Sequence, residues 1–292
     1  MEAFEYTAPK TIADAVAALA SKGDQARALA GGTDLLVQLR GGRRRAQLVV
    51  DVKGVPELNQ ISYSARTGLT LGAAVPCCLV YQNKSVASAY PGLIDPASLI
   101  GSIQIQGRAT IGGNLCNSAP SGDSIPAIIA LGGVCNIAGS GGKTRQVPAE
   151  QFCTGPGRNV LQPGELLVSI HLPPPAANSG ANYQRFIPRN EMDIAVAGVG
   201  TSVVLDSSKR NFVSARIALA SVAPTPVFAK KAGDSLAGKP VSDAAIEEAA
   251  KLAMADAKPI DDMRGTIKQR THLVGVLTRR TLQTAIKRAR GE

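Results

Sequence analysis

Twice in the first half of this chain a short apolar run stops at a pair of glycines and continues into small polar residues. The segments are Ala30-Gly31-Gly32-Thr33-Asp34-Leu35 and Thr110-Ile111-Gly112-Gly113-Asn114-Leu115. Glycine reaches φ > 0 and lets a ligand approach the main chain closely. Unpaired N–H groups at such a turn, beside a helix N-terminus, bind anions such as a pyrophosphate. Thr33 and Asn114 add side-chain hydrogen bonds. One Gly-Gly alone is more often an ordinary strand-to-helix turn, and two loops with the same continuation weigh against that reading. Neither segment matches G-x-G-x-x-G or G-x-x-x-x-G-K-[ST], so a nucleotide would be held without the usual dinucleotide fingerprint or P-loop.

The rest of the composition narrows the classes. The 292 residues suit one large domain or two modest ones. Hydrophobic residues are 45% and charged residues 18%, which fits a packed globular chain. Aromatic residues are 3% with no Trp, so the core is aliphatic and a stacking platform for single-stranded nucleic acid lacks its rings. No run of roughly 18 apolar residues exists, which excludes a spanning helix. The start, MEAFEYTAPK, does not read as a signal peptide. Five cysteines, Cys77, Cys78, Cys116, Cys135 and Cys153, include no C-x-x-C pair. That argues against a disulfide framework, a zinc ribbon or an iron–sulfur site on this chain, and points to a reducing, cytoplasmic compartment.

The net charge of +10 invites an anionic partner: nucleic acid, a membrane surface, a phosphate-bearing cofactor or an acidic subunit. Arg40, Arg43, Arg44 and Arg45 form one cluster, and a solvated turn or a contact with an acidic subunit fits it better than a nucleic-acid patch. Lys and Arg also dominate the tail after Arg264.

The apolar periodicity predicts a β-α-β opening: a helix over Thr11–Lys22 capped by Thr11, a strand over Ala26–Ala30, a helix capped by Thr33 and running to Leu39, and a strand over Leu48–Val52. Leu69–Ala73 reads as a strand, Val75–Tyr81 and Leu93–Ile103 as helices, and Thr110–Asp123 as an ordered loop. Ser124–Leu131 reads as a buried helix. Strands follow over Val134–Ala138, Arg145–Val147 and Glu165–Leu172. Pro173-Pro174-Pro175 and the following AANSGAN form the clearest linker. Beyond it lie three β patterns, Tyr183–Ile187, Ala195–Leu205 and Ser214–Val222, then helices over Asp243–Ala257 and Asp262–Arg290. Cys116 reads as a packing residue, and His171 and His272 as structural or exposed. Ser118, Ser121 and Ser124 lack a paired His, so a Ser-His-Asp arrangement has no support.

AGGTDLL and TIGGNLCNSAPSGD resemble the two flavin-binding segments of the FAD-binding (medium) subunit of the molybdenum hydroxylases, the group of xanthine dehydrogenase and aerobic carbon monoxide dehydrogenase. RFIPRNEMDIAVAGVG resembles the family's basic stretch ending in Asp-Ile-Ala, and ELLVSIHLP its closing flavin-domain strand. The resemblance spans nearly the whole chain in the family's order. It implies an α+β fold: an FAD-binding domain of the vanillyl-alcohol-oxidase (PCMH) type made of two α+β subdomains, 1–56 and 57–176. A small C-terminal α+β domain, 177–292, with a three-stranded sheet and helices would follow.

By position, the resemblance implies that Gly31, Gly32, Thr33 and Asp34 line the pyrophosphate, that Leu35 packs near the flavin and that Ala30 also belongs to the cofactor site. Thr110, Gly113, Asn114 and Asn117 would approach from the other side. Asp123 would bind an FAD hydroxyl, Ile100 and Leu167 would flank the adenine, and Arg185 falls where relatives have a Lys near the flavin. Ile194 follows Asp193 where some relatives place an aromatic shield. The chain would be an oxidoreductase subunit, holding FAD and no metal. It would pass electrons from [2Fe–2S] clusters on a small subunit to an external acceptor. A large subunit would carry a molybdopterin cytosine dinucleotide-type cofactor, and the whole would be a dimer of heterotrimers (a heterohexamer) with no nucleic acid. A stand-alone FAD-dependent oxidoreductase and a basic RNA- or protein-binding module are the alternatives.

Overall fold

The computed structural model describes residues 2–292. The opening builds a three-stranded parallel sheet in the order Glu5–Thr7, Leu48–Asp51, Ala26–Leu29. Parallel pairing requires crossovers, and the helices Ile12–Lys22 and Leu35–Arg40 supply them. Thr11 caps the first helix by accepting from Asp14 N at 3.1 Å. Its buried face, Ala15, Val16 and Leu19, packs with Val50 and Val52. The second helix departs from expectation. It starts at Leu35 with Asp34 at the cap position and no side-chain cap, so Thr33 stays in the glycine turn. The edge strand Glu5–Thr7, three residues with a mostly exposed pattern, has no apolar signal in sequence.

The next sheet is antiparallel, ordered Ile61–Ser64, Gly68–Gly72, Leu166–Leu172, Val134–Ala138, Thr144–Pro148. The strand Leu166–Leu172 is central and buries Leu166, Leu167, Ile170 and Leu172. The expected helix over Leu93–Ile103 is two pieces, Pro91–Ala97 and Ile103–Gln106, because Gly101 at φ +60° breaks it. The expected loop after Thr110 is instead the helix Ile111–Asn117, despite its two glycines. Thr110 Oγ1 accepts from Gly113 N at 2.8 Å and offsets part of their poor propensity.

The C-terminal sheet has four antiparallel strands rather than the expected three: Ser179–Phe186, Ala197–Leu205, Phe212–Ala220 and Val227–Phe228. The fourth is two residues long, too short to leave a pattern. The helix Asp243–Asp256 packs on the helix Ile267–Arg290, which lies along this sheet. Gly180 admits the second of them: a Cβ there would lie 2.1 Å from the Ala285 carbonyl oxygen.

This sheet docks on the antiparallel unit through named anchors. Asp95 takes both Arg288 Nη1 at 2.7 Å and Nη2 at 2.9 Å, and also accepts from Asn182 Nδ2 and Tyr183 N. Arg216 donates to the Ile129 carbonyl and to Glu150, and its guanidinium lies 4.2 Å from the Phe228 ring centroid. Between the units Pro173–Pro175 are exposed, yet the Tyr90 hydroxyl donates to Pro173 O at 3.0 Å.

Two predictions concern these anchors. Arg288→Ala leaves a half-buried carboxylate short of its cation, and should lower unfolding stability by about 2 kcal/mol in chemical denaturation. Asp206 turns the hairpin between Leu205 and Phe212. Hydrogen bonds from Asn211, from Ser208 and from the Arg210 and Asn211 amides depress its carboxyl to about 2. A depressed folded-state value means stability that is present above the ordinary Asp range and lost as pH falls through the folded value. The stability gap between wild type and Asp206→Ala should therefore shrink between about pH 4 and about pH 2.

Candidate cofactor site

The parallel unit and the antiparallel unit face each other across a cleft of about 570 Å³, within the range of small-molecule sites. Both glycine segments border it, and the reason for glycine is geometric. A Cβ on Gly31 would lie 2.2 Å from the Arg108 carbonyl oxygen, and one on Gly112 would lie 2.5 Å from the Ala73 carbonyl oxygen. Main chain therefore meets main chain at the base of each loop. Gly32 adds a φ of +78°, which turns the chain before the helix Leu35–Arg40. At Gly113 a Cβ would come 2.7 Å from Thr110 Oγ1, the hydroxyl that caps the helix.

The side chains at the loops present donors. Asn114 Oδ1 accepts from Ser124 Oγ at 2.7 Å and from Ser124 N at 3.3 Å, which leaves its amide Nδ2 to the cleft. Gln38 Nε2 donates to Asn117 Oδ1 at 2.9 Å, so the two units are latched across the cleft and Asn117 also keeps its NH₂ group. Asp34 is exposed at the rim, and desolvation by the surrounding loop raises its carboxyl.

Of the residues expected around a cofactor, the structure brings twelve to this cleft: Ala30, Gly31, Gly32, Thr33, Asp34, Leu35, Ile100, Thr110, Gly113, Asn114, Asn117 and Leu167. Ile100 and Leu167 stand with Val52, Leu58, Ala73 and Ala109 as an apolar end. Asp123, expected to bind an FAD hydroxyl, and Arg185, expected near the flavin, are not among the residues that line it. They face one another, with Arg185 Nη1 donating to Asp123 Oδ2 at 2.5 Å and Tyr183 Oη to Oδ1 at 2.6 Å. Burial pushes the Asp123 carboxyl up, and the Arg185 guanidinium and Tyr183 hydroxyl draw it back.

Sequence reading missed Arg27, Gln38, Arg44 and Arg158, which also line the cleft. Arg27 had a signal: it is a charge inside a short apolar strand. Its Nε is buried without a partner, and burial, then the nearby Arg44, lowers its pKa. Arg44 belongs to the cluster expected in a solvated turn or against an acidic subunit, and its Nη2 donates to Gly157 O at 2.9 Å. Cys116 lines the cleft, and burial holds its thiol protonated. His171 shares a hydrogen bond with Thr70, its partner on the neighbouring strand.

Comparison with known proteins places this geometry. Residues 2–175 match the FAD binding domain in molybdopterin dehydrogenase, and residues 182–285 match the CO dehydrogenase flavoprotein C-terminal domain. The chain is 32% identical to a xanthine dehydrogenase FAD-binding subunit of Escherichia coli O157:H7, over 98% of this chain and 97% of that one. It is 34% identical to the carbon monoxide dehydrogenase medium chain of Afipia carboxidovorans, over 98% of each. Among solved structures, reconstituted CO dehydrogenase from Oligotropha carboxidovorans matches with a TM-score of 0.93 at 32% identity, covering 98% of this chain and 99% of that one. Quinoline 2-oxidoreductase from Pseudomonas putida 86 matches with a TM-score of 0.89 at 30% identity, covering 99% and 98%. With glycine-built loops facing a nucleotide-sized cleft and likeness along its whole length, the chain belongs to the FAD-binding medium subunits of the molybdopterin dehydrogenases, an oxidoreductase family.

Proposed function

We propose that this chain is the electron outlet of a molybdenum hydroxylase whose other subunits carry the molybdenum cofactor and the [2Fe–2S] clusters. The observation that carries the reading is the cleft itself. A glycine loop from one unit and a glycine-bearing helix start from the other border it, each seated by close main-chain packing, and Arg27, Gln38, Arg44, Asn114, Asn117 and Arg158 bring donors to its lining. That donor set fits a diphosphate. The buried, unpartnered Nε of Arg27 is a further group in want of an acceptor.

We assign the FAD contacts accordingly. Ala30, Gly31, Gly32, Thr33 and Asp34 hold the diphosphate from one side, and Thr110, Gly113, Asn114 and Asn117 hold it from the other. Leu35 packs toward the flavin, and Ile100 and Leu167 flank the adenine. Asp123 and Arg185 act behind the Asn114 wall. When bound, FAD supplies a redox group that takes up electrons from a one-electron donor and delivers them to an acceptor. This chain's own residues bind and orient it and shield its diphosphate from water.

We propose three units: 1–56 and 57–176 clasp the cofactor, and 177–292 braces them. The three larger sheets, one in each unit, support that division, with the last tied to the second by Asp95–Arg288 and by Arg216. The assembly we propose is a dimer of heterotrimers, with a large molybdopterin subunit and a small [2Fe–2S] subunit, located in the cytoplasm. Relatives titled as medium chains of such dehydrogenases support the partners, and five free thiols suit a reducing compartment. Among the described residues no helix is long and apolar enough to cross a membrane.

Co-expression with the neighbouring subunits tests the assembly: mass measurement should give two copies of each of three chains, and a single-copy trimer would reject the dimeric arrangement. Gly113→Val tests the loop. Its branched side chain would displace the Thr110 cap and crowd the main chain, so FAD released on denaturation should fall at least tenfold while circular dichroism is retained. Full flavin occupancy in that variant would move the diphosphate elsewhere.

A further inference from the structure

Behind the cleft wall lies a buried polar cluster that the cofactor contacts do not explain. Tyr183 and Arg185 sit two residues apart on the strand Ser179–Phe186, so their side chains share one face. Both end on Asp123, one on each carboxylate oxygen, at 2.6 and 2.5 Å. Tyr183 is 2% exposed, Asp123 is 7%, and the Arg185 side chain is 6%. The neighbouring strand makes room for the phenol. Gly198 pairs with Arg185 in the ladder, and a Cβ there would come 2.6 Å from Tyr183 Oη.

Such a cluster is a poor way to stabilise a fold. A buried ion pair is often no better than apolar residues of the same volume. Its value lies in orientation. Asp123 precedes the helix Ser124–Ala130, and Ser124 gives both its hydroxyl and its amide to Asn114 Oδ1. Fixing Asp123 therefore fixes the start of that helix and, through it, Asn114 in the cleft wall. The same carboxylate takes a single N–H of Arg185, whose Nε stays buried and unpaired. Burial pushes the Tyr183 hydroxyl well up, so it stays protonated and can only donate to the carboxylate.

We propose that Tyr183 is a positioning residue of the cofactor site: its hydroxyl clamps Asp123, and Asp123, anchored also by Arg185, in turn sets Asn114 in the cleft wall. This rests on the FAD reading above. Without the clamp, Asp123 keeps only the Arg185 contact, and the start of the helix Ser124–Ala130, with Asn114, loses its anchor.

The test uses the complex with its partner subunits. Tyr183→Phe removes one hydroxyl and no ring. It should weaken FAD affinity by on the order of tenfold. Tyr90→Phe is the control. Tyr90 is equally buried, at 2%, and its hydroxyl meets the Pro173 carbonyl, away from the cluster. It should cost comparable thermal stability and leave FAD affinity unchanged. Wild-type affinity in Tyr183→Phe would overturn the positioning role, as would an equal loss of affinity in Tyr90→Phe. A wild-type complex that holds no FAD would instead bring down the cofactor reading itself, and the clamp with it.

Discussion

Main chain packed against main chain sets the shape of this cleft. At Gly31 the loop backbone touches the backbone of Arg108, and at Gly112 the helix start touches the backbone of Ala73. Neither contact survives a Cβ, because the added atom would lie within 2.5 Å of a carbonyl oxygen. Interiors are packed too densely to absorb such an overlap without backbone movement. The spacing between the two loops is thus dictated by sterics, and the Gln38–Asn117 latch holds the two units at that spacing. Every donor that faces the cleft inherits its position from these contacts.

Arginine placement explains much of the positive charge. Arg27, Arg44 and Arg158 face the cleft, where an anionic ligand would neutralise them. Arg216 and Arg288 tie the C-terminal sheet to the antiparallel unit. Arg270, nearly buried, donates to the carbonyls of Val196 and Ser221 and pairs with Asp262. These guanidiniums act as multi-donor brackets, a task for which their fork of N–H groups is suited and an ammonium is not. A net charge read from the sequence does not separate brackets from binding groups, since both are the same residue type.

The helices and most strands were legible from local pattern. Thr11 caps where its sequence context says, and the apolar period of Ile12–Lys22 gives the buried face. The failures share a cause. Thr110 was read into a loop because Gly112 and Gly113 are poor helix formers. Ile111–Asn117 is helical because its cap and its seat on Ala73 outweigh propensity. The strands Glu5–Thr7 and Val227–Phe228 exist only because a partner strand offers an edge. Gly101 divides one apolar run into two helices by its φ, which no periodicity reports.

Local sequence determined where glycine was needed, which faces were apolar and which segments bear likeness to flavin subunits. Those features depend on residues close together in the chain, so pattern and backbone sterics suffice to read them. Tertiary structure alone decided that Asp123 and Arg185 turn toward each other rather than into the cleft. It alone brought Arg27, Arg44 and Arg158 to the cleft, and set Tyr183 behind Asn114. Tyr183 and Asp123 lie sixty positions apart. A buried carboxylate selects its partners by distance and desolvation, and distance across a fold is set only once the sheets have packed.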